Sequence, residues 1–493
     1  MKRNNLTTAV VAAIAGVAGF AGLANAVDLN PDGLGQVLIY PYYTVNKSQD
    51  TAFSVVNTTS IGKAIKVRFL EGYNSREVLD FNLFLSPNDV WTAHVSQTSA
   101  TGGAAVFTTD HSCTFPPIPS GGQAFVASAY AGGSVFPPDN GPTSITRTRE
   151  GYLELIEMGD IVPGSPLDGA TTHVQNGQPN GGVPPCSSAI GANTAGGNLS
   201  APTGGLFGSG FVVNVGSGIF FGYDADAIDG FSSNVLYSSS LLTTPSLQQA
   251  NSANSSFVGG AVGYVFNNGK LLTLDYANGI DAVSAVFEAQ TLYNEYLTAA
   301  GLGANTDWVV TFPTKRFYVD PFYTSCLGAI PPFPNEFIGS GGCGASGHGD
   351  ASAPATIVTN VYDQEEGTVV AGGFSPPGVN PNALSWEVNV ISFLNPTDPN
   401  AGVVSGVFGS ALVANVAPYG GQGWLGLDLA TGDGGHAMRI AANGDVLHGL
   451  PGTGFEAFDI INANAQPGLL ANYGGLFRHR ASRSCTFGAA ACS

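Results

Sequence analysis

Two acidic stretches of the chain have the residue types and spacing of calcium loops. The first, D-x-N-x-D-G, places Asp28, Asn30 and Asp32 at alternate positions ahead of Gly33. Calcium prefers oxygen ligands, and an EF-hand loop also needs a bidentate carboxylate at its twelfth position. That position is Ile39, so a complete EF-hand is excluded. The stretch predicts either a looser calcium site that takes a carboxylate from elsewhere or a plain turn ahead of the first strand.

The second acidic stretch, D-x-D-x-x-D-G, contains Asp224, Asp226 and Asp229. Three carboxylates this close along a β-rich chain repel one another unless a cation lies among them. We therefore treat these residues as a second candidate calcium site. The alternative is a solvated loop on an acidic protein.

A basic segment near the C-terminus is the third candidate site. The sequence R-H-R-A-S-R contributes Arg478, Arg480 and Arg483 to a chain in which basic residues are scarce. Arginine binds carboxylates and phosphates well. The segment therefore predicts a contact with an acidic patch on a neighbouring copy or with lipopolysaccharide phosphate, and an exposed basic tail is the alternative.

The charge balance argues against nucleic acid as a partner. The chain has 16 Lys and Arg residues against 35 Asp and Glu, and without the two basic residues of the N-terminal leader the net charge is −21. Phosphate binding requires clustered Lys and Arg. Charged residues make up only 10% of the chain, so surfaces of this composition can pack against copies of themselves with little desolvation of charge. The acidic excess predicts calcium as a bridge between copies.

Residues 1–26 have the pattern of a secretory signal peptide. A short basic start precedes an apolar run and the small-residue cleavage pattern Ala24-Asn25-Ala26. We expect a secreted protein, extracellular or on the outer cell surface, with the periplasm as the alternative. No transmembrane span is expected after cleavage, whereas an uncleaved anchor is the competing interpretation.

The even number of cysteines predicts disulfides in an exported protein. No C-x-x-C pair occurs, which argues against a thiolate zinc site. Pairing of neighbours along the chain would join 113 with 186, 326 with 343 and 485 with 492, although six cysteines allow 15 connectivities. The candidates are Cys113, Cys186, Cys326, Cys343, Cys485 and Cys492.

The elements that must position these residues are mostly β-strands. Short runs rich in Val, Ile, Phe and Thr alternate with turn residues, a pattern typical of an antiparallel β-sandwich of the immunoglobulin-like type with long Gly/Pro-rich loops. One helix is expected near 281–300, where Val283, Val286, Phe287 and Tyr296 form an apolar stripe. We predict a β-rich domain over 27–330 with a loop insertion near 98–205, a linker over 331–352, and a second β-rich domain over 353–493.

Three segments carry a resemblance to known proteins. They are "VRFLEGYNSREVLDFNLFLSPNDVW" (67–91), "DWVVTFPTKRFYVD" (307–320) and "NYGGLFRHR" (472–480). In these segments the chain resembles a family of exported proteins of Gram-negative bacteria, usually described only as cell-surface or hypothetical proteins. The resemblance implies an exported address, and it implies no reaction and no catalytic residue.

Motifs of enzymes do not support a catalytic role. The sequence has no G-x-S-x-G elbow, no P-loop and no metal-binding spacing of histidines. We expect a non-enzymatic structural protein of the bacterial cell surface that assembles with copies of itself as a surface layer or extracellular filament, aided by calcium. The alternative is a secreted carbohydrate-binding or glycan-cleaving protein, for which Trp91, Trp308 and Trp424 are the aromatic candidates.

Overall fold

The fold is described from a computed structural model. The structure describes residues 26–133, 138–173, 182–191, 196–337, 352–368, 383–393, 404–462, 466, 468–469, 471–488 and 490–492. The predicted signal peptide lies outside these ranges except for Ala26.

The strands of the described residues are, in chain order, β1 Asp28–Leu29, β2 Val37–Thr44, β3 Asp50–Asn57, β4 Lys63–Glu71, β5 Glu77–Leu85, β6 Val90–Gln97, β7 Ala104–Phe107, β8 Cys113–Phe115, β9 Gln123–Ala124, β10 Glu150–Ile161, β11 Leu199–Ser200, β12 Leu206–Asn214, β13 Ile219–Asp224, β14 Asp226–Asp229, β15 Ala261–Asn267, β16 Lys270–Tyr276, β17 Glu288–Ala289, β18 Thr291–Leu297, β19 Ala304–Thr311, β20 Ala355–Thr356, β21 Val358–Asp363, β22 Ala383–Leu384, β23 Val388–Phe393, β24 Val413–Val416, β25 Gln422–Asp428, β26 Asp445–His448, β27 Leu450–Pro451, β28 Thr453–Ile460, β29 Tyr473–Arg478, β30 Arg480–Ser482, β31 Ser484–Phe487 and β32 Ala490–Ala491. The α-helices are α1 Ser128–Ala131, α2 Pro166–Thr171, α3 Gly279–Phe287, α4 Arg316–Val319 and α5 Pro321–Thr324.

Two large antiparallel sheets pack face to face. One has the order β1-β14-β2-β10-β4-β5-β8, with β11 on β10, and the other has the order β13-β12-β3-β6-β7-β9. Between them the rings of Phe53 and Phe69 are 5.7 Å apart, as are those of Phe81 and Trp91. The mostly β, antiparallel sandwich is therefore confirmed. With eight and six strands, it is larger than an immunoglobulin domain.

Strand β10 corrects the prediction of a loop insertion over 98–205. It lies between β2 and β4 at the centre of the larger sheet, and all twelve of its residues are buried. Sheet strands with both faces covered lose the simple alternation of polar and apolar residues. The run "EGYLELIEM" has the composition of a strand, but the Pro- and Gly-rich segments on both sides of it gave no indication that this strand is central to the sheet.

The helix predicted over 281–300 ends much earlier. Helix α3 stops at Phe287, and the chain continues as β17 and then β18. Val283 and Val286 are buried in the helix as expected, but Tyr296 is buried from a strand. All seven residues of β18 pair with β25, and this sheet pairing outweighs the helical periodicity, because propensity is a weak guide where tertiary pairing is available.

The predicted division near 331–352 does not separate two sheet systems. Strand β18 pairs with β25 and β30, and β19 pairs with β23 and β28, so strands from both sides of the division share sheets. Part of the predicted linker, 338–351, lies outside the described residues. Short-range composition indicated a boundary, whereas long-range pairing joins the two parts.

Two of the neighbour disulfides are present, Cys113–Cys186 and Cys485–Cys492. Cys326 is also disulfide-bonded, and Cys343 lies outside the described residues. In the ranges that the structure covers, we find no helix with the length and apolar character needed to cross a membrane.

Candidate functional site

The first acidic stretch forms a turn that uses its own polar atoms. The Asn30 side-chain oxygen accepts a hydrogen bond from the Asp32 N–H (2.9 Å), and the Asn30 amide donates to the Leu34 carbonyl (2.7 Å). Asp32 is exposed at the tip. This arrangement is an Asx turn. A turn was the alternative to a calcium site for this stretch.

The second acidic stretch does not gather its carboxylates into one site. Asp224 is exposed and accepts a hydrogen bond from the Ser209 hydroxyl (2.9 Å). Asp226 is buried, accepts a hydrogen bond from the Thr453 hydroxyl and forms an ion pair with Arg478. Each of these carboxylates therefore has a separate partner.

Strand pairing instead joins the two acidic stretches to each other. In the antiparallel pair of β1 and β14, Asp28 lies directly opposite Asp229. Burial and the nearby Asp229 charge raise the pKa of Asp28 to about 6. Burial also raises the pKa of Asp229, although the Gly230 N–H and the Lys63 charge oppose this. Like charges directly opposite on paired strands are destabilising; a shared proton or a cation would relieve the repulsion.

Within the described ranges, one group of three metal-ligand side chains is close enough to share an ion: Asp445, Cys485 and Cys492. The two cysteines are joined in a disulfide, and thiolates, not disulfides, are metal ligands. Asp28 and Asp229 supply two carboxylates. Calcium binding therefore stays a prediction, and that pair is now its most concrete location.

The three arginines of the C-terminal segment have different environments. Arg478 reaches the buried carboxylate of Asp226 while its side chain stays 63% exposed. Arg480 is exposed on β30. Arg483 donates to two backbone carbonyls at the end of α3. Arg478 and Arg480 are therefore exposed, whereas Arg483 is partly buried.

Half of the 14 basic residues that follow residue 26 are buried, which the sequence analysis missed. Buried Lys and Arg require paired charges or hydrogen bonds. Four of the seven belong to the two longer segments that carry the family resemblance. The buried basic residues are Lys63, Lys66, Arg68, Arg76, Arg147, Lys315 and Arg316.

Arg147 is the best-connected of these cations. Its guanidinium donates to Glu71 (2.7 and 3.1 Å) and to Asp139 (2.8 and 2.7 Å). The guanidinium also lies over the rings of Tyr73 and Tyr130, 4.8 and 4.4 Å from their centroids. Bidentate pairs and cation–π contacts of this kind fix geometry closely.

The segments that carry the resemblance meet in space. Arg316 of the second segment donates to the Ser75 carbonyl of the first (2.7 Å), and Tyr152 donates to the Ser75 hydroxyl (2.8 Å). His479 of the third segment packs on Trp308 of the second, with ring centroids 4.8 Å apart. Their contacts are buried and structural, so these segments stabilise the fold.

Because half of the lysines and arginines after residue 26 are buried, few exposed positive charges remain to balance the acidic residues of the surface. The four-stranded sheet β21-β25-β18-β30 has an acidic turn after its first strand, with Asp363, Glu365 and Glu366. Its last strand carries Arg480, and Arg478 precedes that strand. Three strand spacings of about 4.8 Å separate the two edges, on the order of 14 Å. One sheet therefore has opposite charges at its two edges.

The aromatic candidates for sugar stacking separate into two groups. Trp91 and Trp308 are fully buried and are removed as candidates. Trp424 is 41% exposed and stacks on Tyr362 with ring centroids 4.5 Å apart. It is the remaining tryptophan among the three proposed.

Comparisons with protein-family models, with curated proteins and with solved structures found no match. The resemblance to exported cell-surface proteins therefore stays a prediction.

Proposed function

We propose that the protein is a non-enzymatic structural component of the bacterial cell surface, secreted and assembled from copies of itself into a filament or surface layer. The observation that carries the proposal is the charge polarity of the four-stranded sheet. The acidic turn of one copy (Asp363, Glu365 and Glu366) is complementary in charge to the opposite edge of the same sheet in the next copy, where β30 carries Arg480. We call this second edge the arginine edge.

Contacts between two different faces are heterologous, and a heterologous contact that does not close into a ring produces an open assembly. The acidic turn and the arginine edge are such faces. Repeated addition of copies through them would build a filament.

Apolar surface accompanies the charges at both edges. Tyr473 and Phe477 are exposed on β29, a strand of another sheet that ends at Arg478, while Trp424 is exposed beside Tyr362, next to the acidic turn. Exposed ion pairs contribute only about 0.2–1 kcal/mol each. We therefore infer that the charges set the orientation and register of one copy on the next, whereas aromatic contacts supply most of the binding affinity between copies.

Calcium would act between copies in this proposal. A chain with a net charge of −21 repels its neighbours, and Ca²⁺ binds carboxylates from more than one chain. Millimolar calcium should therefore lower the protein concentration at which assembly begins.

A charge exchange tests the proposal. We expect E365K/E366K to prevent assembly of the mature protein, because the reversed turn meets a basic edge, and R480E to prevent it likewise. Combining the three changes restores opposite charges and should restore assembly. The control is D224K, which reverses an exposed acid on another sheet and should leave assembly unchanged. If E365K/E366K assembles as well as the parent protein, this interface is wrong.

The second candidate function, stacking of a sugar ring on an exposed aromatic side chain, rests on Trp424. Aromatic rings of tryptophan provide apolar faces for stacking, and this ring is exposed beside Tyr362. This function would be favoured over the structural one if the parent protein binds a glycan array, W424A does not, and neither the parent nor W424A assembles.

A further inference from the structure

A cavity of about 360 Å³ opens beside the Cys485–Cys492 disulfide, where the turn between β15 and β16 meets the C-terminal strands. Its size falls within the range of small-molecule sites. The groups of interest on its wall are Asn267, Lys270, Gln290, Arg483 and Ser484.

Arg483 is held in place without using a carboxylate. It donates through Nε to the Glu288 carbonyl (3.0 Å) and through Nη2 to the Val286 carbonyl (3.2 Å). Among the described residues, no ion pair joins Arg483 or Lys270 to an acidic side chain. Neutral carbonyls fix the guanidinium but leave its charge uncompensated, and a partly buried charge without a counter-charge is costly.

The nearest acidic group does not supply that counter-charge. The Glu288 carboxyl is buried, and neither of its oxygens has a hydrogen-bond partner in the part of the chain described. Burial raises its pKa well above the ordinary value, with Arg483 opposing the shift. Among the described residues no ion pair joins this carboxyl to Arg483, so a bound anion would supply a closer counter-charge.

A second carboxylate lies near the disulfide but not on the cavity wall. Asp445 has a carboxylate oxygen within 4.8 Å of the sulfurs of Cys485 and Cys492. It accepts a hydrogen bond from the Asn443 amide (2.8 Å). The wall of the cavity itself therefore carries Lys270 and Arg483 as its charged groups.

The remaining polar groups suit a ligand with hydroxyls. Asn267 and Gln290 offer amides and Ser484 offers a hydroxyl, so the wall has both hydrogen-bond donors and acceptors. On a surface with strong acidic excess, the two cations on this cavity wall form a local site for an anion. A hydroxylated anion matches both properties.

We propose that this cavity binds an acidic sugar, with its carboxylate or phosphate between Lys270 and Arg483 and its hydroxyls on Gln290 and Ser484. The ligand in the cell would be an acidic residue of a surface polysaccharide or of a lipid-linked saccharide. The site attaches the protein to glycan and is independent of the self-assembly proposed above.

Calorimetric titration of the full mature protein tests the site. The ligands are glucuronate, glucose 6-phosphate, glucose and inorganic phosphate. We expect glucuronate and glucose 6-phosphate to bind at least tenfold more tightly than glucose or inorganic phosphate. Because Lys270 is exposed, K270Q should fold normally and weaken binding of both acidic sugars at least tenfold.

Two further variants complete the test. S484A should weaken both acidic sugars severalfold by removing a hydroxyl contact. K47Q is the matched control, since it removes an exposed cation that lies outside both the cavity and the proposed assembly interface, and it should bind like the parent protein. Equal weakening by K270Q and K47Q would indicate general charge attraction and would overturn the site. Glucose binding as tightly as glucuronate, or phosphate as tightly as glucose 6-phosphate, would overturn the ligand class.

Discussion

Replacing Arg147 with methionine should be among the most destabilising single changes in the chain. Arg147 makes four hydrogen bonds to the buried carboxylates of Glu71 and Asp139. Burial raises the pKa of Asp139, but the hydrogen bonds and charge of Arg147 lower it below the ordinary value overall. Without the guanidinium, Glu71 loses its ion-pair partner and Asp139 keeps only a longer ion pair with Arg76 (3.9 Å).

Breaking a buried ion pair by removing one partner costs about 3–5 kcal/mol. R147M also loses the cation–π contacts with Tyr73 and Tyr130, each worth about 0.5–2 kcal/mol. These losses share one guanidinium and are not additive, and methionine fills part of the vacated volume, so we expect a loss of at least about 3 kcal/mol in the free energy of unfolding.

Urea unfolding with the disulfides intact, followed by fluorescence of the buried Trp91 and Trp308, measures this loss. The control R480M changes an exposed arginine and should stay within about 0.5 kcal/mol of the parent. Adding E71Q and D139N to R147M removes the uncompensated charges and should restore part of the stability. A loss below about 1 kcal/mol for R147M, or no recovery in the triple variant, would refute the assigned role.

Two further predictions concern the carboxylate pair and the disulfides. The pKa of Asp28 is raised to about 6 in the folded state, so the folded protein binds more protons than the unfolded chain and stability should fall as pH rises from about 4 to 6. D28N should reduce the fall of the thermal melting temperature over that range, to which Asp80 and Asp459, with pKa values also raised to about 6 by burial, still contribute. D32N in the exposed turn should keep the parent profile, and identical profiles for D28N and the parent would contradict the pairing. The Cys113–Cys186 disulfide spans 73 residues and Cys485–Cys492 spans 7, so loop entropy predicts losses of about 4 and about 2 kcal/mol for the respective serine pairs. A larger loss in urea unfolding for the shorter loop would contradict the entropic account.

Local patterns of the sequence predicted the strand-rich sandwich, because alternation and turn residues are short-range signals. They did not predict the central position of β10 in its sheet or the end of α3, because pairing with distant strands decides both. The segment after Phe287 has helical periodicity, yet β25 supplies a full set of backbone partners for it. The two strands that pair with this segment, β25 and β30, are distant in sequence, so the segment alone does not reveal them.

At the candidate sites, too, the sequence identified individual residues but not their partners in the fold. The sequence identified Asp28, Asp229 and Arg478 as unusual, but their spacing did not indicate that Asp28 faces Asp229 or that Arg478 pairs with Asp226. The sequence also gave no indication that half of the basic residues after residue 26 are buried, because a lysine or arginine in a strand is ordinarily expected to face the solvent. Only the fold places Lys270 beside Arg483.

Electron microscopy of the purified mature protein, with and without millimolar calcium, together with images of the native cell surface, tests the structural role most directly. We predict fibres or a lattice in the purified sample, more abundant with calcium, and the same repeat on the cell surface. A monomer at high protein concentration under both conditions, confirmed by sedimentation velocity, would contradict it.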